Sequence, residues 1–247
     1  MSERESDSGR GRLFVVATPI GNLEDASPRL VKVLSEVDGI AAEDTRRTRV
    51  LLSHFGISTP LRSYHDHNES RVAGELLKRI RSGEDIALVS DAGTPLIADP
   101  GYRIVCACAE AGADVVSVPG PCAVTAALSV AGLPPHPFYF AGYLPRRSAA
   151  RRKRIAQLAE LDCTLVFYES PHRIAAALED LREVLGERRA AVARELTKLH
   201  EEILRGTLGE LSETAGRSPL RGEIVVIVAP PGRHEATAAG AGDTGRG

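Results

Sequence analysis

Apolar residues along this chain come in short blocks, each closed by glycine, proline or small polar residues. The blocks near 13–18, 38–42, 59–64, 86–90 and 115–118 are continuous rather than alternating, as expected of strands buried on both faces of a parallel sheet. Helices are predicted between them near 28–36, 46–54, 69–82 and 100–111, with a further helix near 122–131. Ser27-Pro28 supplies an N-cap and first helical position, Gly83 and Gly112 stand where helices end, and Asp99-Pro100 is read as the cap and first turn of the 100–111 helix. Strand and helix alternating at this spacing predict a mainly parallel sheet with helical crossovers.

Gly132-Leu133-Pro134-Pro135 interrupts this pattern and is the expected hinge to a second domain. Beyond it, strands near 137–143, 163–168, 189–194, 200–206 and 223–229 intermix with helices near 148–161, 172–185 and 208–215. The close strand signals around 194–204 predict some antiparallel pairing, hence a mixed sheet. The predicted organisation is an N-terminal α/β domain over 13–132 and a C-terminal α/β domain over 133–231. Disordered tails are expected at 1–12 and 232–247, where small and polar residues dominate.

Ile86 to Gly101, IALVSDAGTPLIADPG, carries the strongest chemical signal. An apolar strand runs into a loop with two aspartates, two glycines and two prolines. Loops at the carboxyl ends of parallel strands are where open α/β sheets hold ligands, and small residues let a ligand approach the backbone. A tight strand–helix connection with ordinary capping would use similar residues.

Other segments recur around it in order: LFVVATPIGNL from Leu13, EDTRRT from Glu43, VPGPCAVTAA from Val118, VFYESPHR from Val166, RELTKLHEE from Arg194 and RGEIVVIV from Arg221. The ordered set, spanning Leu13 to Ala229, resembles the tetrapyrrole-methylase superfamily of S-adenosylmethionine-dependent methyltransferases. Within it, AEDTRRT, SDAGTPLIADPG and YESPHR resemble the ribosomal-RNA small-subunit methyltransferase branch. That branch methylates the ribose 2′-oxygen of a cytidine in 16S ribosomal RNA. The resemblance implies two α/β domains with a cofactor cleft between them, S-adenosylmethionine as cofactor, a small-subunit substrate and a homodimer.

Composition changes this picture little. Hydrophobic residues at 43% and charged residues at 26% suit a globular α/β enzyme. No apolar run is long enough to span a membrane, and the polar N-terminus lacks the apolar core of a secretory signal, so a cytoplasmic protein without a membrane partner is expected. Cys106, Cys108, Cys122 and Cys163 show no CxxC pairing and are read as reduced thiols. A net charge of −2 gives no global field for nucleic acid, and no DNA partner is expected.

The resemblance implies a cofactor set of Pro19 and Gly21; Asp91, Ala92, Gly93 and Thr94; Gly120, Cys122 and Ala123; and Tyr168, with Ala193 and Glu223 as further neighbours. Such a donor needs apolar walls, backbone partners and a few polar groups rather than a phosphate loop. A ribose hydroxyl attacks poorly until it loses its proton, so a base is sought. The candidates are Glu43 and Asp44 beside Arg46 and Arg47, His65 and His67 in YHDHNE, and Lys198 with Glu195, the lysine being rare in a chain with few of them. Capping and surface ion pairs would account for Glu43 to Arg47 equally well. His65 and His67 lack a third metal ligand, and no metal is expected.

The cluster Arg146, Arg147, Arg151, Arg152, Lys153 and Arg154 contains no acidic residue and would oppose a helix dipole, which points to RNA phosphates. Arg46 and Arg47 extend the set. Tyr64, Phe138, Tyr139 and Tyr143 could stack on a splayed base, with Tyr143 the best exposed candidate. Two alternatives remain open: a small-molecule, tetrapyrrole-type methyltransferase, and a non-catalytic RNA-binding assembly factor.

Overall fold

The computed structural model describes residues 11–232. The tails expected to be disordered therefore lie outside the described residues, apart from their innermost positions. Gly11 and Arg12 are anchored: Gly11 N–H donates to the Ile80 carbonyl at 2.8 Å, and Arg12 pairs with Asp85 at 2.6 Å.

The described chain divides into two compact units, one formed by residues 11–127 with Arg194–Glu202, the other by 128–193 with 203–232. The sequence places the division at 132/133 and keeps 194–202 with the second half. Tertiary contacts assign that segment to the first unit instead.

The first unit runs β1 (Leu13–Val16), α1 (Pro28–Glu36), β2 (Gly39–Ala42), α2 (Thr45–His54), β3 (Leu61–Ser63), α3 (Glu69–Arg81), β4 (Ile86–Val89), α4 (Tyr102–Glu110) and β5 (Val115–Val118). A further helix, α5 (Ala123–Val130), carries the chain into the second unit. The sheet order is β3-β2-β4-β1-β5, and each neighbouring pair is parallel. Alternate residues serve opposite faces: Phe14, Val16, Ala87 and Val89 join one apolar cluster, whereas Leu13, Ile86 and Leu88 join another. Burial on both faces explains why these strands read as unbroken apolar runs. The Ser27 cap is present, its hydroxyl accepting from Leu30 N–H at 3.0 Å.

One cap differs from expectation. Helix α4 starts at Tyr102 and is capped by Gly101, not by Asp99. Gly101 adopts a φ of 140°, and a Cβ there would lie 2.9 Å from Leu88 Cδ2 and Leu96 Cδ1. Glycine therefore lets the loop run two residues further before the helix begins, which frees the Asp99 side chain from capping.

The second unit contains β6 (Phe138–Tyr143), α6 (Ser148–Ala159), β7 (Thr164–Glu169), α7 (Ile174–Leu185), β8 (Arg189–Arg194), β9 (Glu202–Thr207), α8 (Leu208–Arg217) and β10 (Ile224–Val228). Its sheet order is β6-β7-β10-β8-β9, with β6 and β7 parallel and β7 and β10 antiparallel, so the sheet is mixed as expected. Phe167, Val192 and Val226 of the sheet pack in one cluster with Ile155, Leu178 and Leu211 of α6, α7 and α8. Ile155 and Leu178 are both 0% exposed, each worth roughly 1.5–3 kcal/mol of apolar burial. Among the described residues, no helix is long and apolar enough to cross a membrane.

Candidate functional site

The loops leaving β1, β4 and β5 meet at the carboxyl edge of the first sheet. Thr18 and Gly93 exchange backbone hydrogen bonds at 2.8 and 3.1 Å, and the Thr94 hydroxyl donates to the Pro121 carbonyl at 3.1 Å. A Cβ added at Gly93, where φ is 82°, would lie 3.2 Å from Ile20 and 3.6 Å from the Pro121 carbonyl. At Gly120 it would meet the Ala17 Cβ at 3.1 Å. A side chain at either position would crowd the neighbouring loop, and at Gly93 it would also strain a backbone with positive φ. Pro19, Gly21, Asp91–Thr94, Gly120, Cys122 and Ala123 all sit on these loops, so the structure brings nine of the expected cofactor residues to one edge.

The loop after β2 joins the same edge. Asp44 N–H donates to Asp91 Oδ1 at 2.9 Å, and Arg47 Nε lies 3.6 Å from Asp91 Oδ2. A cavity of about 110 Å³ opens here, lined among others by Thr18, Pro19, Arg47, Ser90 and Asp91. Glu43 and Asp44 are adjacent yet titrate in opposite directions. Burial, reinforced by Asp99 and Asp91, pushes Glu43 up to about 7, although an Asp91 N–H hydrogen bond opposes this. Asp44 caps α2 through Arg46 N–H, and hydrogen bonds from the Arg46 side chain and backbone hold it down at about 2. Asp99, which sequence reading treated only as a cap, is pushed up to about 6 by burial against a hydrogen bond from Ser90, with Asp91 and Asp66 adding to the rise. A base working near neutrality needs a poised carboxyl group, and of these two Glu43 is the one raised toward that range.

The segment between β8 and β9 completes this edge. Asn22 N–H donates to the Thr197 hydroxyl at 3.1 Å, and a Cβ at Gly21 would lie 2.5 Å from Lys198 Cγ. Lys198 Nζ stands 2.9 Å from Glu195 Oε1. Glu195 and Thr197 have φ of 50° and 66°, and Leu96 and Ala98 have φ of 72° and 67°. Every non-glycine residue with positive φ among the described residues therefore lies in one of these two loops, where surrounding hydrogen bonds must maintain the strain.

The second unit holds the remaining expected residues. Tyr168 is half-buried on β7 with edge contacts to Phe140 and Tyr143 at 4.8 and 5.6 Å between ring centres. Ala193 is fully buried on β8, and Glu223 is exposed just before β10.

The arginine cluster needs correction. Arg151 is 4% exposed and lies inside the unit: Nε donates to Asp180 Oδ2 at 2.6 Å, with further bonds to backbone carbonyls, so it cannot reach a phosphate. Arg152 is committed to Asp180 and Glu183. Arg154 donates to the Tyr139 hydroxyl at 3.1 Å. The carboxylates that balance this helix start come from α7, which no local reading of the 146–154 stretch reveals. Arg146, Arg147 and Lys153 remain exposed, as do Arg46 and Arg47. Tyr64 is removed from the stacking candidates, being 1% exposed in the core, whereas Tyr143 is 59% exposed. Among the described residues, no three His, Cys, Asp or Glu side chains are grouped to hold a metal ion, and His65 and His67 make an edge contact with each other. All four cysteines are free thiols.

Comparison with known proteins identifies the family. The profile of the family described as Tetrapyrrole (Corrin/Porphyrin) Methylases matches residues 12–212. A Pseudomonas aeruginosa protein named Ribosomal RNA small subunit methyltransferase I is 53% identical over 222 residues, covering 89% of this chain and 79% of that protein. Its namesake from Escherichia coli O157:H7 is 51% identical over 228 residues, covering 91% and 80%. Among solved structures, diphthine synthase has a TM-score of 0.69 at 18% identity, covering 89% of this chain and 90% of that one. Uroporphyrin-III C-methyl transferase from Thermus thermophilus, complexed with S-adenyl homocysteine, has a TM-score of 0.63 at 19% identity, covering 89% and 97%. The structural likeness shows a shared fold, and the profile and the sequence identities extend it to descent: this chain belongs to the tetrapyrrole methylase family.

Proposed function

We propose that this protein transfers a methyl group from S-adenosylmethionine to small-subunit ribosomal RNA, at the ribose 2′-oxygen of a cytidine. The observation that carries the reading is identity above one-half, over nine-tenths of the chain, to proteins named Ribosomal RNA small subunit methyltransferase I. A small-molecule acceptor is less well supported, because the tetrapyrrole enzymes resemble this chain at 17–22% identity, which conveys the fold alone.

The residues fit the methyl donor. Pro19, Gly21, Asp91–Thr94, Gly120, Cys122 and Ala123 offer backbone groups and small side chains on one edge, suited to a ligand that is part apolar and part polar. We assign them to donor binding, with Tyr168, Ala193 and Glu223 as further contacts. S-adenosylmethionine supplies an activated methyl group. The chain's own contribution is alignment, together with Glu43 as the acceptor of the hydroxyl proton. Lys198, held by Glu195, stands as a second catalytic group beside Gly21. Asp44 acts by capping α2. Arg46, Arg47, Tyr143, Arg146, Arg147 and Lys153 are assigned to the RNA, and Arg154 assists them.

The substrate is taken to be the assembled small subunit, the working form a homodimer and the compartment the cytoplasm. The test is transfer of labelled methyl from S-adenosylmethionine to small subunits from a strain lacking this protein, followed by nuclease mapping. One 2′-O-methylcytidine is expected. Donor binding without transfer to subunits or naked RNA would overturn the reading in favour of small-molecule acceptors, and absence of donor binding would favour a non-catalytic assembly factor.

A further inference from the structure

Three successive carbonyls between β6 and α6 are held by two guanidinium groups. Arg173 places Nη2 2.6 Å from the Leu144 carbonyl and 3.4 Å from that of Pro145, while also meeting Glu169 Oε2 at 3.1 Å. Arg151 donates from Nη1 to the Arg146 carbonyl at 3.2 Å and to Pro145 at 3.5 Å. Each guanidinium is backed by an enclosed carboxylate, Glu169 at 1% and Asp180 at 3% side-chain exposure. Glu169 is itself oriented by Ser170 N–H, which donates to Oε1 at 2.7 Å. Leu144 adds an apolar anchor, 3% exposed in the core of the unit.

With these carbonyls engaged inward, the side chains of Arg146 and Arg147 are left exposed, as is Tyr143 immediately before the anchor. Surface loops are ordinarily the mobile part of a fold. This one is tied by charge-assisted hydrogen bonds over consecutive residues, which are stronger than neutral ones. Binding cations held in place beforehand lose less freedom when a polyanion arrives. We propose that Arg173, supported by Glu169, is a positioning residue that fixes the Tyr143–Arg147 segment in the shape presented to substrate RNA. The proposal deepens the ribosomal-RNA reading and rests on it. It assigns the Glu169 and Arg173 of YESPHR to RNA affinity, not to methyl transfer itself.

All three acceptors converge on one nitrogen, so a lysine ammonium can recover part of the arrangement, whereas glutamine cannot. R173Q would leave Glu169 buried without its partner, so the decisive variant is the charge-balanced E169Q/R173Q. Steady-state kinetics on small subunits from a strain lacking this protein should show KM for the subunits raised about tenfold and kcat within about twofold of wild type. R173K should fall between the two, and the thermal midpoint of E169Q/R173Q should stay near wild type.

R146A/R147A is the companion measurement and should raise KM similarly while flattening the salt dependence of binding. If R146A/R147A weakens subunit binding but E169Q/R173Q does not, the positioning role is overturned and the RNA reading stands. If R146A/R147A binds subunits as wild type does, the segment is not an RNA contact and the proposal falls with that assignment. A drop in kcat at unchanged KM, or a loss of activity that merely tracks thermal stability, would also overturn it.

Discussion

Glu43 in the first unit and Asp180 in the second are carboxylates drawn away from water, and they titrate in opposite directions. Burial would push Asp180 up, but hydrogen bonds from Arg152, Ser148 and Arg151 outweigh it and hold this carboxyl below its usual range. At Glu43 burial is the main cause of a rise to about 7, and the neighbouring carboxylates, Asp99 and Asp91 foremost, add to it instead of opposing it. Burial by itself therefore does not separate a structural acid from a chemical one. The identity of the next charge does: a guanidinium makes Asp180 a permanent anion that organises a helix start, whereas fellow acids leave Glu43 poised to exchange a proton.

The severest way to test this contrast is D180N. It keeps the shape but strands Arg151, whose side chain is 5% exposed, and should cost about 3–5 kcal/mol in urea-induced unfolding. E43Q should do the reverse. It should lower kcat by about 10²–10⁴-fold while leaving the fold intact, measured by methyl transfer to small subunits.

Its pH signature has a definite sign. The folded chain holds the Glu43 proton up to about pH 7, whereas a free glutamate releases it near 4.5. Wild-type stability therefore declines as pH rises between those values, and E43Q should lose that part of the decline. With Glu43 as the proposed base, activity should rise with pH around a midpoint near 7, where the folded chain releases that proton. D99N sharpens the point with a smaller effect: removing the like charge that raises Glu43 most should move the acid limb of the rate profile to lower pH. The smallest effect belongs to R46A. Its exposed pair with Asp44 should leave the thermal midpoint unchanged, while the salt slope of RNA binding falls by about 0.7–0.9 if Arg46 touches a phosphate.

The same contrast explains what could be read from the chain beforehand. Strands such as β4 and β10 are apolar throughout because each is buried on both faces, and Ser27-Pro28 signals a helix start within two residues; both are local properties. The loops after β4 and β5 were legible for a similar reason, since Gly93 and Gly120 mark close backbone approach. Arg151 was misread because its partner lies 29 residues away on another helix. Asp99 was misread because the conformation of Gly101, set by packing against Leu88 and Leu96, decides where α4 begins. Local pattern reveals elements and turns, while the charge state and purpose of a polar side chain depend on partners brought in by tertiary structure.

The segment Arg194–Glu202 has a consequence for biosynthesis. It belongs to the first unit, yet it is translated only after β6, β7 and β8. At elongation rates of about 5–20 residues per second, it leaves the ribosome several seconds after Ala127. The nascent first sheet can form early, but the edge bearing Gly21 and Asn22 waits for Lys198 and Thr197. A chain stalled or truncated before residue 194 would carry the first sheet without the segment that packs on Gly21 and Asn22, so that edge is finished only after residues 194–202 have been made.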